Sequence, residues 1–174
     1  MTENAAPTGK FALNYGLLLG GISIVFGLIL YSMDLHYQGG YSVLLVSVVI
    51  MLGCIITGLI QYRNANGGYM SFAQGLKVGV GICLIGGVIS MLFQLVLSNV
   101  IDPEMTAKQL EMARVQMEEQ GIASEQIDAQ MEMAKKFTGP FIQAAFGLIG
   151  SIFFGFVLSM IPVLVLKKNK PEHM

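Results

Sequence analysis

The sequence predicts an all-α fold: an integral membrane four-helix bundle with an extramembrane helical hairpin between spans three and four. Three observations predict it. Of 174 residues, 54% are hydrophobic and only 12% are charged, about half the charged share of a soluble domain. The charges are also segregated. All 10 basic and all 11 acidic residues fall outside four apolar stretches, 11–33, 41–62, 78–101 and 141–166. Finally, each stretch exceeds the ~20 helical residues needed to cross a hydrocarbon core of ~30 Å. None alternates as a barrel strand would, and lipid leaves an isolated spanning backbone no partner except its own helix. The chain therefore reads as a single membrane domain, 1–174, with 102–140 as an extramembrane helical insert.

The first stretch is too long for a signal-peptide core of roughly 7–15 residues, and no small-residue cleavage site follows Met33. It reads as a retained span. A short turn, DLHYQGG, follows, holding Asp34, His36 and Gly39-Gly40. The second connection, RNANGGYMSFAQGLK, carries the turn signal Asn66-Gly67-Gly68. Ser71 with Gln74 three residues later forms a capping-box pattern. Phe72, Leu76 and Gly79 then share one face, as a short amphipathic lead-in to span three lying at the membrane surface would.

The third connection holds most of the polar residues. Asp102-Pro103-Glu104 reads as a helix start, with an acidic N-cap and Pro at the first helical position. Gly121 breaks the helical run, and a second helix is predicted over 124–137, ended by Thr138-Gly139-Pro140. Ala123, Ile127, Met131, Ala134 and Phe137 form its apolar side. Glu125, Asp128, Glu132, Lys135 and Lys136 form the other, with Glu132 and Lys136 spaced for a helical ion pair. The apolar residues Ile127, Met131, Ala134 and Phe137 are a candidate partner face, free to pack on the bundle or on another protein.

An even number of spans puts both termini on one side. That side has Lys10, Arg63, Lys77, Lys167, Lys168 and Lys170, against Lys108, Arg114, Lys135 and Lys136 on the other. The excess of basic residues places the termini in the cytoplasm and 102–140 in the periplasm. Tyr31, Tyr37 and Tyr41 on one side, with Tyr15 and Tyr62 on the other, suit the interfaces.

Small residues recur every four positions: Ala12, Gly16 and Gly20 in span one; Gly75, Gly79, Cys83 and Gly87 in span three; Gly147, Ser151, Gly155 and Ser159 in span four. Such stripes let helix backbones approach closely. They pack the bundle internally or, for span four above all, form a homo-oligomer seam. Span one (GLLLGGIS) and span three (GICLIGGVIS) echo each other, as a duplicated two-helix unit would. No span contains an ionisable Asp, Glu, Lys, Arg or His, so a proton or charge relay has no carrier. The mid-span polar residues are Ser23, Ser47, Thr57, Ser90, Gln94, Ser151 and Ser159, and Gln94 is suited to an interhelical hydrogen bond.

Cys54 and Cys83 fall at similar depth on neighbouring spans. They read as small buried hydrophobes, although a disulfide is conceivable. The loop methionines, Met105, Met112, Met117, Met131 and Met133, have thioethers suited to Cu(I) but irregular spacing. Asp34, His36 and loop carboxylates are the other metal or acid–base candidates, and His173 sits apart. No nucleophile–base pair or phosphate loop occurs. We therefore expect no catalytic residue, no cofactor and no metal. A net charge of −1 argues against nucleic acid as a partner.

The segments NGGYMSFAQGLKVGVG (66–81), FALNYGLLLGGIS (11–23), DAQMEMAKKFTGPF (128–141) and FGLIGSIFFGF beyond it together resemble the bacterial membrane family catalogued as domain of unknown function 4199. The resemblance covers nearly the whole chain. It implies a small multi-span protein of the bacterial inner membrane with four spans, and it implies no activity and no catalytic residue.

The leading functional expectation is a non-enzymatic structural or accessory subunit in the lipid bilayer, binding other membrane proteins or itself as a homo-oligomer. An alternative is a small oligomeric transporter or channel for a neutral solute. It draws on the Gly-interrupted spans one and three in corresponding positions. A third is a membrane enzyme acting on a lipid or lipid-linked substrate, for which Arg63, Asn66, Tyr69, Ser71, Gln74 and Lys77 are the one candidate polar set on the cytoplasmic side.

Overall fold

A computed structural model describes residues 5–36 and 40–170. Tyr37, Gly39 and His173 lie outside the described residues. The helices in chain order are α1 Thr8–Ser32, α2 Tyr41–Ala65, α3 Phe72–Val96, α4 Met105–Glu119, α5 Ser124–Lys136 and α6 Pro140–Leu166. A π-helical turn, Leu97–Ile101, extends α3. The fold is an all-α membrane bundle. The four long helices α1, α2, α3 with its π turn, and α6 are each long and apolar enough to cross a membrane. Only 17–22% of the most apolar window of each is buried within the chain. The rest is an apolar surface far larger than a soluble monomer exposes, and lipid is the solvent it suits.

Two boundaries differ from the sequence reading. Helix α3 begins at Phe72 and runs unbroken through Lys77, so the expected surface lead-in is the first turn of the span itself. Its start is the anticipated capping box: Ser71 Oγ accepts from Gln74 N–H at 3.3 Å, and Ser71 N–H donates to Gln74 Oε1 at 2.9 Å. Helix α4 begins at Met105, without a side-chain cap. The Asp102 carboxylate expected at that cap is used elsewhere, as described below.

Helix α3 is the centre of the bundle, with α1 on one side and α6 on the other. Both contacts rest on small residues. A Cβ built on Gly79 would overlap the Ser159 side chain, and one on Gly155 would lie 2.6 Å from Cys83 Cβ. Gly75 receives Val163 in the same way, and Gly87 receives Ser151. Across the other seam Gly16 faces Ile85, Gly20 faces Ile89, Gly81 faces Ala12 and Gly86 faces Leu19. The α6 stripe is therefore covered by α3 of the same chain. Ser151, Gly155 and Ser159, considered for a homo-oligomer seam, serve this internal contact instead, as do Gly75, Gly79 and Gly87. Gly147 is the exception, because a Cβ there would meet nothing within 4 Å.

The face carrying both chain ends is tied together by three segments. Met70 and Lys168 form an antiparallel bridge with N–H to O distances of 2.8 and 2.9 Å. Asn66 Oδ1 accepts from Ala6 N–H at 2.9 Å, and Asn66 Nδ2 donates to the Tyr69 carbonyl at 2.8 Å. Gly67 and Gly68 take φ of +70° and +84°, a left-handed turn that suits glycine. Arg63 Nη1 donates to the Leu166 carbonyl at 3.4 Å, and Lys168 Nζ lies 5.5 Å from the centre of the Tyr69 ring.

On the opposite face α4 and α5 form the expected hairpin, turned at Gly121 with φ +74°. Ile127 and Met131 are buried where α5 packs on α4. These two residues are thus unavailable as a partner face. Ala134 is half-buried, and Phe137 is exposed, with its ring edge-on to Phe146 at 6.0 Å. Among the described residues Glu132 and Lys136 form no ion pair. The hairpin is instead bridged by Arg114, which reaches Glu118 at 3.2 Å and Asp128 at 3.1 Å.

The seams give a paired prediction. Ser159 Cβ is anchored to its own helix backbone, so α3 and α6 must separate to admit a methyl at position 79. Gly79→Ala should destabilise by ~1–3 kcal/mol, as overpacking does. Gly150→Ala, where a Cβ meets nothing within 4 Å, should stabilise by ~0.5–1 kcal/mol through helix propensity alone. Reversible unfolding in mixed detergent micelles measures both. Equal effects would contradict the assigned seam.

Candidate functional site

The tight packing of α2 and α6 onto the rest of the bundle stops about halfway along it. The buried residues of α1 are Ala12, Gly16, Leu19 and Gly20, and those of α2 run from Cys54 to Tyr62. In α3 they run from Gly75 to Gly86, and in α6 from Gly155 to Val163. All belong to the half nearest the chain ends. Toward the hairpin face, 21–32 of α1, 41–53 of α2 and 140–154 of α6 contain no buried residue among those described. There α2 and α6 part from the α1–α3 pair, which stays in contact where Gly27 receives the Phe93 ring, and leave a cavity of about 590 Å³, within the size range of small-molecule sites.

The cavity is graded along its length. Its floor is apolar, from Leu19, Met51, Cys83, Gly86 and Phe154. Ser23, Ser47, Ser90 and Ser151 line the middle, and Gln94, Ser98 and Gln143 line the mouth. No Asp, Glu, Lys, Arg or His is among the lining residues. Two of the serines satisfy their own helix, since Ser47 Oγ donates to the Val43 carbonyl and Ser151 Oγ to the Leu148 carbonyl, both at 2.8 Å. Gln94 Nε2 reaches Met105 Sδ at 3.6 Å, tying the mouth to the first residue of α4. Among the described residues, the side chains of Ser23, Ser90 and Gln143 make no hydrogen bond. A polar group held inside an apolar bundle is costly unless something bonds to it. These three groups are therefore available to a bound molecule or to water.

The mouth is braced by charge outside the spans. His36 Nε2 and Asp102 Oδ2 are 2.9 Å apart, with side chains only 4% and 12% exposed. Lys108 Nζ lies 3.5 Å from Asp102 Oδ1. The Tyr31 ring lies 5.0 Å from the His36 ring. Together these residues join the turn after α1 to the end of α3 and the start of α4. The His36 hydrogen bond, then the Lys108 charge, holds the Asp102 carboxyl below its ordinary 3.8 despite partial desolvation. The intervening π turn accommodates one extra residue, with Asp102 N–H donating to the Leu97 carbonyl at 2.7 Å. Such turns recur at functional positions. Here Leu97 is buried and Ser98 lines the cavity.

The sequence groups His36 with Asp34 and loop carboxylates, and the structure brings one of those loop carboxylates, Asp102, to His36. Among the described residues no three metal-ligating groups converge. Cys54 and Cys83 are both free and buried. In the polar set near the chain ends, Asn66, Ser71 and Gln74 are engaged in the turn and cap, and Arg63 in the contact with Leu166. Sequence reasoning missed the cavity. The one signal for it was that Ser23 and Ser90, which end the two echoed segments, occupy equivalent places in spans one and three.

A carboxyl whose pKa is lowered by folding stabilises the fold above its ordinary pKa. That contribution is lost as pH falls from 3.8 through the lower folded value. Asp102→Asn should therefore lower the Tm at neutral pH, and the gap from wild type should close as the pH drops below 3.8. Thermal unfolding across that range measures it, and a gap that persists in acid would contradict the assigned ion pair.

The comparisons with known proteins bear on family alone. No curated protein and no solved structure matches the chain. The sequence profile of the family described as "Protein of unknown function (DUF4199)" matches residues 14–168, which takes in the turn and cap at Asn66–Gln74, most of span one, the other three spans and the hairpin. The chain belongs to the DUF4199 family.

Proposed function

We propose that this membrane protein binds an uncharged small molecule in the splayed half of its bundle and works as a small carrier, the neutral-solute alternative read from the sequence. The observation that carries this reading is the cavity itself. It is large enough for a ligand, has no ionisable Asp, Glu, Lys, Arg or His in its lining, and presents Ser23, Ser90 and Gln143 with hydrogen-bonding capacity unused by the described residues. The absence of a charge in the lining favours an uncharged ligand, because an ion brought there would have no counter-charge to offset its desolvation.

The accessory-subunit reading loses two of its motives. The α6 stripe is occupied by α3, and the apolar stripe of α5 by α4. One observation still favours it: Phe137, Phe141 and Phe146 leave an exposed aromatic cluster where the hairpin meets α6, suited to a second copy or another membrane protein. The enzyme reading has less support, because Arg63, Asn66, Ser71 and Gln74 of its polar set are engaged in contacts at the chain ends. Placement in a bacterial inner membrane with cytoplasmic termini rests on six basic residues at that face. The opposite face has four, Lys108, Arg114, Lys135 and Lys136.

The test is the composition of the full-length protein extracted from native membranes in mild detergent. The carrier reading expects a bound small molecule visible by native mass measurement, with no stoichiometric second polypeptide. It also expects that molecule to be lost in Gly150→Phe, whose Cβ meets nothing within 4 Å and whose ring is added to the cavity lining. A stoichiometric partner protein retained by Gly150→Phe, with no small molecule bound to wild type, would overturn it in favour of the subunit.

A further inference from the structure

We propose that the cavity's ligand is a membrane-borne, single-chain amphiphile with an uncharged, ester-linked head, entering sideways from the leaflet at the hairpin face. This rests on the ligand-binding reading above and specifies its chemistry. The cavity's polarity is ordered by depth. From Cys83 at the floor to Ser98 at the mouth is fifteen residues of α3, about 22 Å of helix, and the polar side chains stop short of the floor. Gln94, Ser98 and Gln143 at the mouth offer amide and hydroxyl groups, which both donate and accept, to a hydroxylated head. Ser23 and Ser90 sit about one helical turn deeper. Neither donates to its own helix, as Ser47 and Ser151 do. Their hydroxyl protons suit an acceptor without a proton of its own, such as an ester carbonyl. Below them the floor is hydrocarbon in character and suits an acyl chain.

Sideways entry follows from the helices that fail to meet. Along α6 a Cβ at Gly147 or Gly150 would touch nothing within 4 Å. The facing half of α2, 41–53, has no buried residue. Both stretches lie within spans, so the gap between them opens on lipid. The mouth toward water is instead crossed by the Gln94–Met105 contact and the His36–Asp102 pair. A ligand already dissolved in the bilayer meets the open side.

The chain has no tryptophan, so a single Trp is an unambiguous reporter. Phe26→Trp places one in the cavity lining, and Leu30→Trp gives a second should the first fail to fold. Phe153→Trp, 61% exposed and outside the lining, reports bulk lipid. The probe is a monoacylglycerol brominated on its acyl chain, titrated into phosphatidylcholine nanodiscs holding the full-length protein. We expect saturable quenching of the cavity reporter, against a gradual unsaturable decline at position 153. Gln94→Ala with Gln143→Ala should raise half-saturation about tenfold, the effect of losing two ordinary hydrogen bonds. A brominated fatty-acid anion should not saturate. Parallel quenching at both positions, or equal saturation by the anion, would overturn the proposal. If a water-soluble neutral molecule were still found bound to the native protein, the carrier reading would survive and only the amphiphile would fall.

Discussion

Helices in lipid gain little by hiding apolar surface from one another, because acyl chains are as apolar as leucine. What holds two of them together is contact area, and contact area depends on how closely their backbones approach. In this protein the approach is made at α3. Gly79 admits Ser159, Cys83 lies against Gly155, and on the other side Gly86 admits Leu19 while Gly20 admits Ile89. Each contact is a small residue on one helix facing a larger one on its neighbour. The arrangement is reciprocal between α1 and α3, as expected if the two echoed segments are related.

That packing accounts for the rest of the molecule by where it ends. The interlocking α3 contacts hold the half of the bundle nearest the chain ends. The Met70–Lys168 bridge and the Asn66 hydrogen bonds close it there. Beyond Gly87 the larger side chains Met91 and Leu95 take over on α3, and α6 offers Gly147 and Gly150 with nothing opposite them. There α2 and α6 diverge from the α1–α3 pair, and serines and glutamines line the space between them. The far end is held by charge rather than by packing. The His36–Asp102–Lys108 group fixes the last turn of span three and the root of the hairpin above the open half.

Much of this architecture was legible from the residues. The four spans follow from segregation of charge, which no tertiary contact can reverse in lipid. The capping box at Ser71 and Gln74 and the hairpin turn at Gly121 are local, so sequence spacing alone determines them. The stripes of small residues were legible as stripes, but not as to their partners. A stripe on α6 reads the same whether it meets α3 or a second copy, and only the depth register of Gly79 against Ser159 decides. Asp102 misled for a related reason. Before Pro103 it has the local signature of a helix cap, yet it lies within reach of a histidine 66 residues away, and the tertiary hydrogen bond prevails. Ile127 and Met131 formed a clear stripe whose cover, α4, had no clean stripe of its own to announce it. The cavity was least legible, because it is made by residues that do not touch, and a spacing rule describes contacts.

The most direct measurement of the account is a thiol-access ladder along α3. Single cysteines at Ser90, Gln94 and Ser98, and at Val88, Leu92 and Val96, would be introduced into the full-length protein with Cys54 and Cys83 replaced by alanine. Each would then be exposed in vesicles to a small neutral maleimide. The account predicts reaction at 90, 94 and 98, suppressed at 90 and 94 by Gly150→Phe, and little reaction at the three positions facing lipid. No reaction at Ser90→Cys in an otherwise intact protein, or no suppression by the filled cavity, would contradict the claim that the bundle is closed in one half and open in the other.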